Sequence, residues 1–211
     1  MKQKSLFLIT TFIVLYNTIS AQGQYAIEAN YGLSGVFEPS SNEFKHFGAG
    51  ISYDFNEVYG IKLDFASDKF RPKNDISNLE TGINVTRISL QGTLNLSKAI
   101  KKGKAKHALN VIKKESNPDF FNLIAHAGGG VSTIKPIDNS GNDNAINVIM
   151  GLTPTFKITE GLYFSLDTSL IFNIAQHYNF DGSLAYEKIP NSFTGITYSV
   201  TGGIIYKIRA Y

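Results

Sequence analysis

The sequence predicts an all-β protein, an eight-stranded antiparallel up-and-down transmembrane β-barrel, and three observations carry the prediction. Read in steps of two, most of the chain from Tyr25 to Ile208 separates into an apolar face and a small or polar face, the period of a strand. The connections between these segments alternate between long and short. The non-apolar face carries glycine, serine and opposite charges, which suit the inside of a narrow barrel better than a water-facing surface.

An export signal comes first. Lys2 and Lys4 precede an apolar stretch from Leu6 to Tyr16, and Thr18-Ile19-Ser20-Ala21 is a small-residue exit, so residues 1–21 are expected to be a signal peptide and 22–211 the barrel. The apolar stretch is too short to span a bilayer. There is no cysteine, which excludes a lipidated amino-terminal cysteine, a disulfide framework and thiolate metal sites. Without Lys2 and Lys4 the chain holds 18 basic and 17 acidic residues, a net charge of +1 that argues against a nucleic-acid partner.

The first strand is expected over Tyr25 to Ser34, with Tyr25, Ile27, Ala29, Tyr31 and Leu33 on its apolar side. A loop through Pro39 leads to the second, His46 to Phe55, and Asn56-Glu57 turns it into a third with Tyr59, Ile61, Leu63 and Phe65. A polar loop from Ser67 to Gly82 precedes the fourth, marked by Ile88, Leu90, Leu94 and Leu96. The fifth runs from Phe120 to Ser132. Loop residues Pro136, Ser140 and Gly141 lead to the sixth, around Val148 to Ile158, and Thr159-Glu160-Gly161 turns it into the seventh, Leu162 to Ile174. A long loop from Gln176 to Thr194 precedes the eighth, with Ile196, Tyr198, Val200, Ile204, Tyr206 and Ile208. Long loops follow strands one, three, five and seven, as at the outer face of a bacterial outer-membrane barrel.

Periodicity alone does not say which face points outward, because a soluble ligand barrel gives the same alternation inverted. The lumen reading rests on Gly48, Gly50, Ser52, Gly128, Gly130, Ser199, Thr201 and Gly203, and on a charge network of Glu28, Asp54, Asp64 and Asp167 with Lys62, Arg87, Lys157 and Lys207. Unpaired charges inside would be too costly. Aromatics on the apolar face fall near both strand ends, Tyr25, Tyr53, Phe55, Tyr59, Phe164 and Tyr206 at one rim and Tyr31, Phe65, Phe172 and Tyr198 at the other, as two membrane interfaces require.

Residues 97–119 form the exception to the short-turn rule, a Lys-rich periplasmic insertion. Between Lys98 and Glu115 it holds seven lysines and one acid, which leaves the rest of the mature chain with 11 bases against 16 acids. Ala105, Ala108, Leu109 and Ile112 recur at helical spacing after Gly103, so either a short amphipathic helix or a solvated basic loop fits. Lys101, Lys102, Lys104 and Lys106 are the candidate contacts to anionic headgroups or to an acidic periplasmic or envelope protein partner.

Thr201, Gly203, Tyr206 and Ile208 follow the polar, glycine, aromatic, hydrophobic spacing that resembles the carboxy-terminal signal read by the barrel insertion machinery, although Arg209-Ala210-Tyr211 extends past it. Arg87-Ile88-Ser89-Leu90-Gln91-Gly92, Asn122 to Gly128, Val148 to Pro154 and Asn179-Phe180-Asp181-Gly182 resemble the amino-terminal barrel of OmpA-type outer-membrane proteins, from about strand four onward. The resemblance implies a small envelope barrel integral to the outer membrane, in contact with its lipids. Many relatives add a peptidoglycan-binding domain; this chain stops at the last strand, so wall anchoring is not implied.

Chemistry is sparse. His46, His107, His126 and His177 form no HExxH or comparable pair, and Gly128-Gly129-Gly130 lacks the lysine of a phosphate loop, so no metal or cofactor is expected. His126 falls on the lumen face and reads as an interior hydrogen-bonding residue rather than a base. His46 and His177 at the outer rim, near Ser132, Asp68 and Asp181, admit an alternative in which the barrel acylates or deacylates lipid. A narrow pore is the third reading. Pro154 suits a bulge, a lateral opening or a plain strand irregularity. The expectation is a closed barrel with a structural or partner-binding role and no reaction of its own.

Overall fold

The computed structural model describes residues 23–37, 41–72, 81–107, 120–137, 141–185 and 192–208; the expected signal peptide lies outside the described residues. Eight antiparallel strands close into one barrel in chain order. They are β1 (Gln24–Val36), β2 (Ser41–Asp54), β3 (Tyr59–Phe70), β4 (Ile83–Asn95), β5 (Phe121–Pro136), β6 (Asp143–Thr159), β7 (Leu162–Gln176) and β8 (Phe193–Ile208). Pairing of β1 with β8, from Tyr25 opposite Ile208 to Val36 opposite Thr197, removes the last free edge.

The apolar face points out. Ile146, Val131 and Leu90 are 61, 59 and 58% exposed, whereas Ser132, Asn147 and Asn173 are almost wholly buried inside. An apolar wall running round the whole barrel could not face water and fits hydrocarbon. Ring pairs lie at the end that carries the short turns. Tyr25 and Tyr53 are 4.8 Å apart, Tyr53 and Phe55 5.3 Å, and Phe156 and Phe164 6.4 Å. At the opposite end Phe37 and Tyr198 are 5.0 Å apart. By the rule for such barrels, the short-turn end with both termini faces the periplasm.

The periplasmic turns are built locally. Asn56 Oδ1 accepts from the N–H groups of Val58 at 2.8 Å and Tyr59 at 3.0 Å, which folds the β2–β3 turn. Glu160-Gly161 joins β6 to β7 in two residues, with Gly161 at φ +79° as that turn requires. Pro154 stands in continuous β6 opposite Leu123, and the β6–β7 register is unshifted on either side of it, so it marks neither a bulge nor a shift.

The structure departs from the sequence reading at the outer end. β1 to β8 run to 12–17 residues, more than the roughly 9–11 that cross a bilayer, and part of what was expected as loop is strand. Past the apolar band the alternation inverts. Val36, Phe70, Ile83, Val85, Ile134 and Ala145 point inward, while Lys69, Thr86 and Lys135 point out. The stretch expected as a loop from Gln176 to Thr194 contributes to the same core. Tyr178 and Phe180 join the inward residues, packed by Leu184 and Phe193. Phe180 meets Phe70 edge-on at 5.6 Å. A bridge between Tyr178 and Leu184, with Gly182 at φ +92° in the turn, folds this segment into the barrel mouth.

At the periplasmic end the Lys-rich insertion opens with helix α1 (Leu96–His107). It begins directly after β4, earlier than the stripe after Gly103 suggested; Ala108, Leu109 and Ile112 lie outside the described residues. Asn95 caps it, its Oδ1 accepting from Lys98 N–H at 3.1 Å, and Ser97 Oγ accepts from Leu123 N–H at 3.0 Å to hold the first turn against β5.

Candidate functional site

The site with most buried polar chemistry is the lumen, which is layered along the barrel axis. At mid-height Lys62 on β3 donates to Glu28 on β1 at 2.9 Å and lies 3.7 Å from Asp64. Across the lumen Asp167 on β7 accepts from Thr153 Oγ1 at 2.7 Å and Ser169 Oγ at 2.6 Å, and its Oδ2 lies 2.9 Å from His126 Nε2. His126 Nδ1 is 2.7 Å from Gln91 Oε1, and Gln91 donates to Ser89 at 2.8 Å. His126 is thus an interior bridging residue.

The next layer outward is a triad; the sequence placed Arg87 in the lumen and His46 near Asp68 at the rim, but did not join them. Asp68 receives Arg87 Nη1 at 2.8 Å on one oxygen and lies 2.6 Å from His46 Nδ1 on the other, all three buried. Asp68 and His46 were placed at the rim because the strands were cut short there. Had β3 been continued in steps of two, 62, 64, 66 and 68 would have put Asp68 on the lumen face. Asp54 pairs with Lys207 at 2.9 Å at the periplasmic mouth, and Lys207 Nζ lies 5.6 Å from the centre of the Tyr163 ring. Lys157, expected in the lumen charge network, sits near the short-turn end of β6, opposite Tyr163 and with its N–H donating to the Phe120 carbonyl at 2.8 Å, and it forms no ion pair among the described residues.

Free volume shrinks going inward. A vestibule of about 700 Å³ at the periplasmic mouth, bordered by Asp54, Glu57, Lys98 and Lys207, leads to a cavity of about 60 Å³ at Glu28 and Lys62. Beyond it lies one of about 20 Å³ among His46, Arg87 and Asp167, room for a single water. Above that comes the apolar core. Among the described residues the lumen narrows to a dead end, open at the short-turn end and filled at the other.

Of the residues of the lipid-acylating alternative, His46 and Asp68 come together, but Ser132 is bonded to neither histidine among the described residues. Ser132 Oγ donates to Asn173 at 2.8 Å and accepts from Asn147 at 3.1 Å, inside the wall. His46 is committed to Asp68. His177 stands outside at the rim, 3.1 Å from Asp143 rather than beside Asp181, which holds the turn at Ser183. No cluster of three metal-binding side chains occurs among the described residues.

On β8, Thr201 and Gly203 face inward and Tyr206 and Ile208 outward to lipid. Arg209 to Tyr211 lie outside the described residues. On α1, Ile100 and Lys101 are exposed; the side chains of Lys102, Lys104 and Lys106 lie outside the described residues.

No family model matches the chain, and no curated protein matches it in sequence. Solved structures do. A major outer membrane protein from Thermus thermophilus matches with a TM-score of 0.57 at 8% identity, over 88% of this chain and 99% of that one. Neisserial surface protein A matches at 0.52 and 7% identity, over 88% of this chain and 97% of that one. This is the fold of a small outer-membrane β-barrel. The amino-terminal barrel of Pseudomonas aeruginosa OprF is also similar, at 14% identity and a TM-score of 0.47 over 89% of this chain and 100% of that domain. The outer-membrane barrel fold, joined to a lipid-facing wall and two aromatic belts, makes this an integral outer-membrane protein of the cell envelope.

Proposed function

We propose that this outer-membrane barrel is a closed scaffold that serves the envelope structurally and by binding partners at its two faces, and that it catalyses no reaction. The observation that carries the reading is the double seal of the lumen. Paired charges fill its middle and an apolar core fills its outer mouth, which leaves ions no through route among the described residues. Ser132 is hydrogen-bonded to Asn147 and Asn173 rather than to His46 or His177, which supports the absence of acyl transfer, because a nucleophile must be joined to its base. At the periplasmic face, basic α1 is the feature that plain barrel physics does not require, and it is the natural contact for an acidic partner.

Conductance tests the reading. The refolded mature chain in planar bilayers should give no stable steps, and porin-sized single-channel steps would overturn the closed scaffold. Lipid mass spectra from cells with and without the protein should match; a new acylation state that depends on His177 would establish the enzyme instead.

A further inference from the structure

The outer rim carries an ordered gradient on one side of the barrel, across β3, β4 and β5 and reaching β6. Phe65, Ile88, Val131 and Ile146 form a row across these strands, opposite one another in register. The next outward row is Ser67, Thr86, Thr133 and Asn144, with Thr133 Oγ1 donating to Asn144 at 3.0 Å. The row beyond is Lys69, Asn84 and Lys135, and both lysines are exposed. Two strand spacings put the lysine backbones about 10 Å apart. Between them stands a fixed guanidinium. Arg71 Nη1 donates to the carbonyls of Phe70 and Ile83, both at 2.9 Å, and Nη2 donates to Asn84 Oδ1 at 2.6 Å. These bonds leave the Nε proton and one Nη2 proton to a further acceptor. No carboxylate occupies the three rows.

We propose that this face binds the phosphate-bearing headgroup of a glycolipid in the outer leaflet. The order matches the depth profile of such a lipid. The apolar row meets acyl chains, the hydroxyl and amide row meets sugar hydroxyls, and the cations meet phosphate at the level where a guanidinium recognises it best. The surface is continuous with the lipid-facing wall, so a membrane lipid reaches it without leaving the bilayer. Elsewhere around the rim the chemistry differs: β7 and β8 follow Ile174 and Ile196 with His177 and Thr194.

The test is lipid retention by native mass spectrometry of the refolded barrel, released from micelles containing diphosphoryl lipid A, its dephosphorylated form or phosphatidylglycerol. Wild type should retain the diphosphoryl form, and the triple variant Lys69→Gln, Arg71→Gln, Lys135→Gln should lose at least tenfold in apparent affinity while keeping its heat-modifiable band shift. Lys157→Gln, at the opposite end of the barrel, should bind like wild type. Equal retention by the triple variant would overturn the site. Equal retention of dephosphorylated lipid or of phosphatidylglycerol would overturn the assigned headgroup, and displacement by inorganic phosphate alone would overturn a lipid as occupant.

Discussion

Asp68 is the residue on which the outer ionic layer turns, because each of its oxygens has its own buried partner, Arg87 and His46. Removing one side of a buried pair leaves the other uncompensated, which costs more than the pair ever contributes. Arg87→Ala should therefore lower barrel stability by about 3 kcal/mol, read from guanidinium unfolding in lipid vesicles. Arg87→Lys should recover part of the loss, since it restores charge without the planar fork. An unchanged midpoint for the alanine variant would remove Arg87 from the lumen network. Phe180 stands on the other side of the same boundary, in the apolar core. Phe180→Ala leaves a cavity and should cost about 3 kcal/mol, yet the variant should remain non-conducting in planar bilayers because the ionic layers beneath are untouched. Conduction by that variant would show that the aromatic stopper alone closes the barrel.

Among the elements, α1 is the one whose position the sequence obscured. Asn95 starts it, and Asn95→Ala should cost about 1 kcal/mol of local stability, visible as faster amide exchange confined to the first turn. Replacing Lys101, Lys102, Lys104 and Lys106 by Gln should leave barrel folding intact but weaken binding to anionic liposomes, most at low salt where charges are least screened; equal binding by both forms would reduce α1 to a spacer. The strands explain what could be read and what could not. Inside the bilayer the environment on each face is uniform, so alternation in β3 from Tyr59 to Phe65 declares both strand and facing. From Ser67 onward lipid gives way to water, apolar residues move to the inside, and the same rule reads as pattern loss. The four interior positions Lys62, Asp64, Glu28 and Asp167 were legible because they precede that change. Arg87 was legible as well, but the interior place of its partner Asp68, the core around Phe70 and the apolar role of Tyr178 and Phe180 lay beyond it. Lys157 lies on the lumen-face parity of β6, held by Tyr163 on one side and Phe120 on the other, but so near the short-turn end that no interior carboxylate pairs with it among the described residues.

At the scale of the molecule, closure depends on residues far apart in the chain. Asp54 and Lys207 are separated by 153 positions, and β1 finds its second neighbour only when β8 arrives. Such long-range pairing makes folding slow and favours a helper in the membrane, which is where the spacing Thr201, Gly203, Tyr206 and Ile208 would be read. Changing Tyr206 and Ile208 together to Ala should lower the folded yield in cells more than it lowers refolding in detergent, measured by heat-modifiable mobility; equal losses in both would make these residues simple packing. The change from apolar to polar on the outer face, at Phe65 and Ser67, Ile88 and Thr86, Val131 and Thr133, Ile146 and Asn144, falls at one height across four strands. Sliding the barrel by two residues would move the wall roughly 6 Å along each strand, drawing hydroxyls into hydrocarbon on one side and leaving rings in water on the other. The chain thus carries its own thickness standard, and membranes that differ from it in depth are ones this protein should enter less readily.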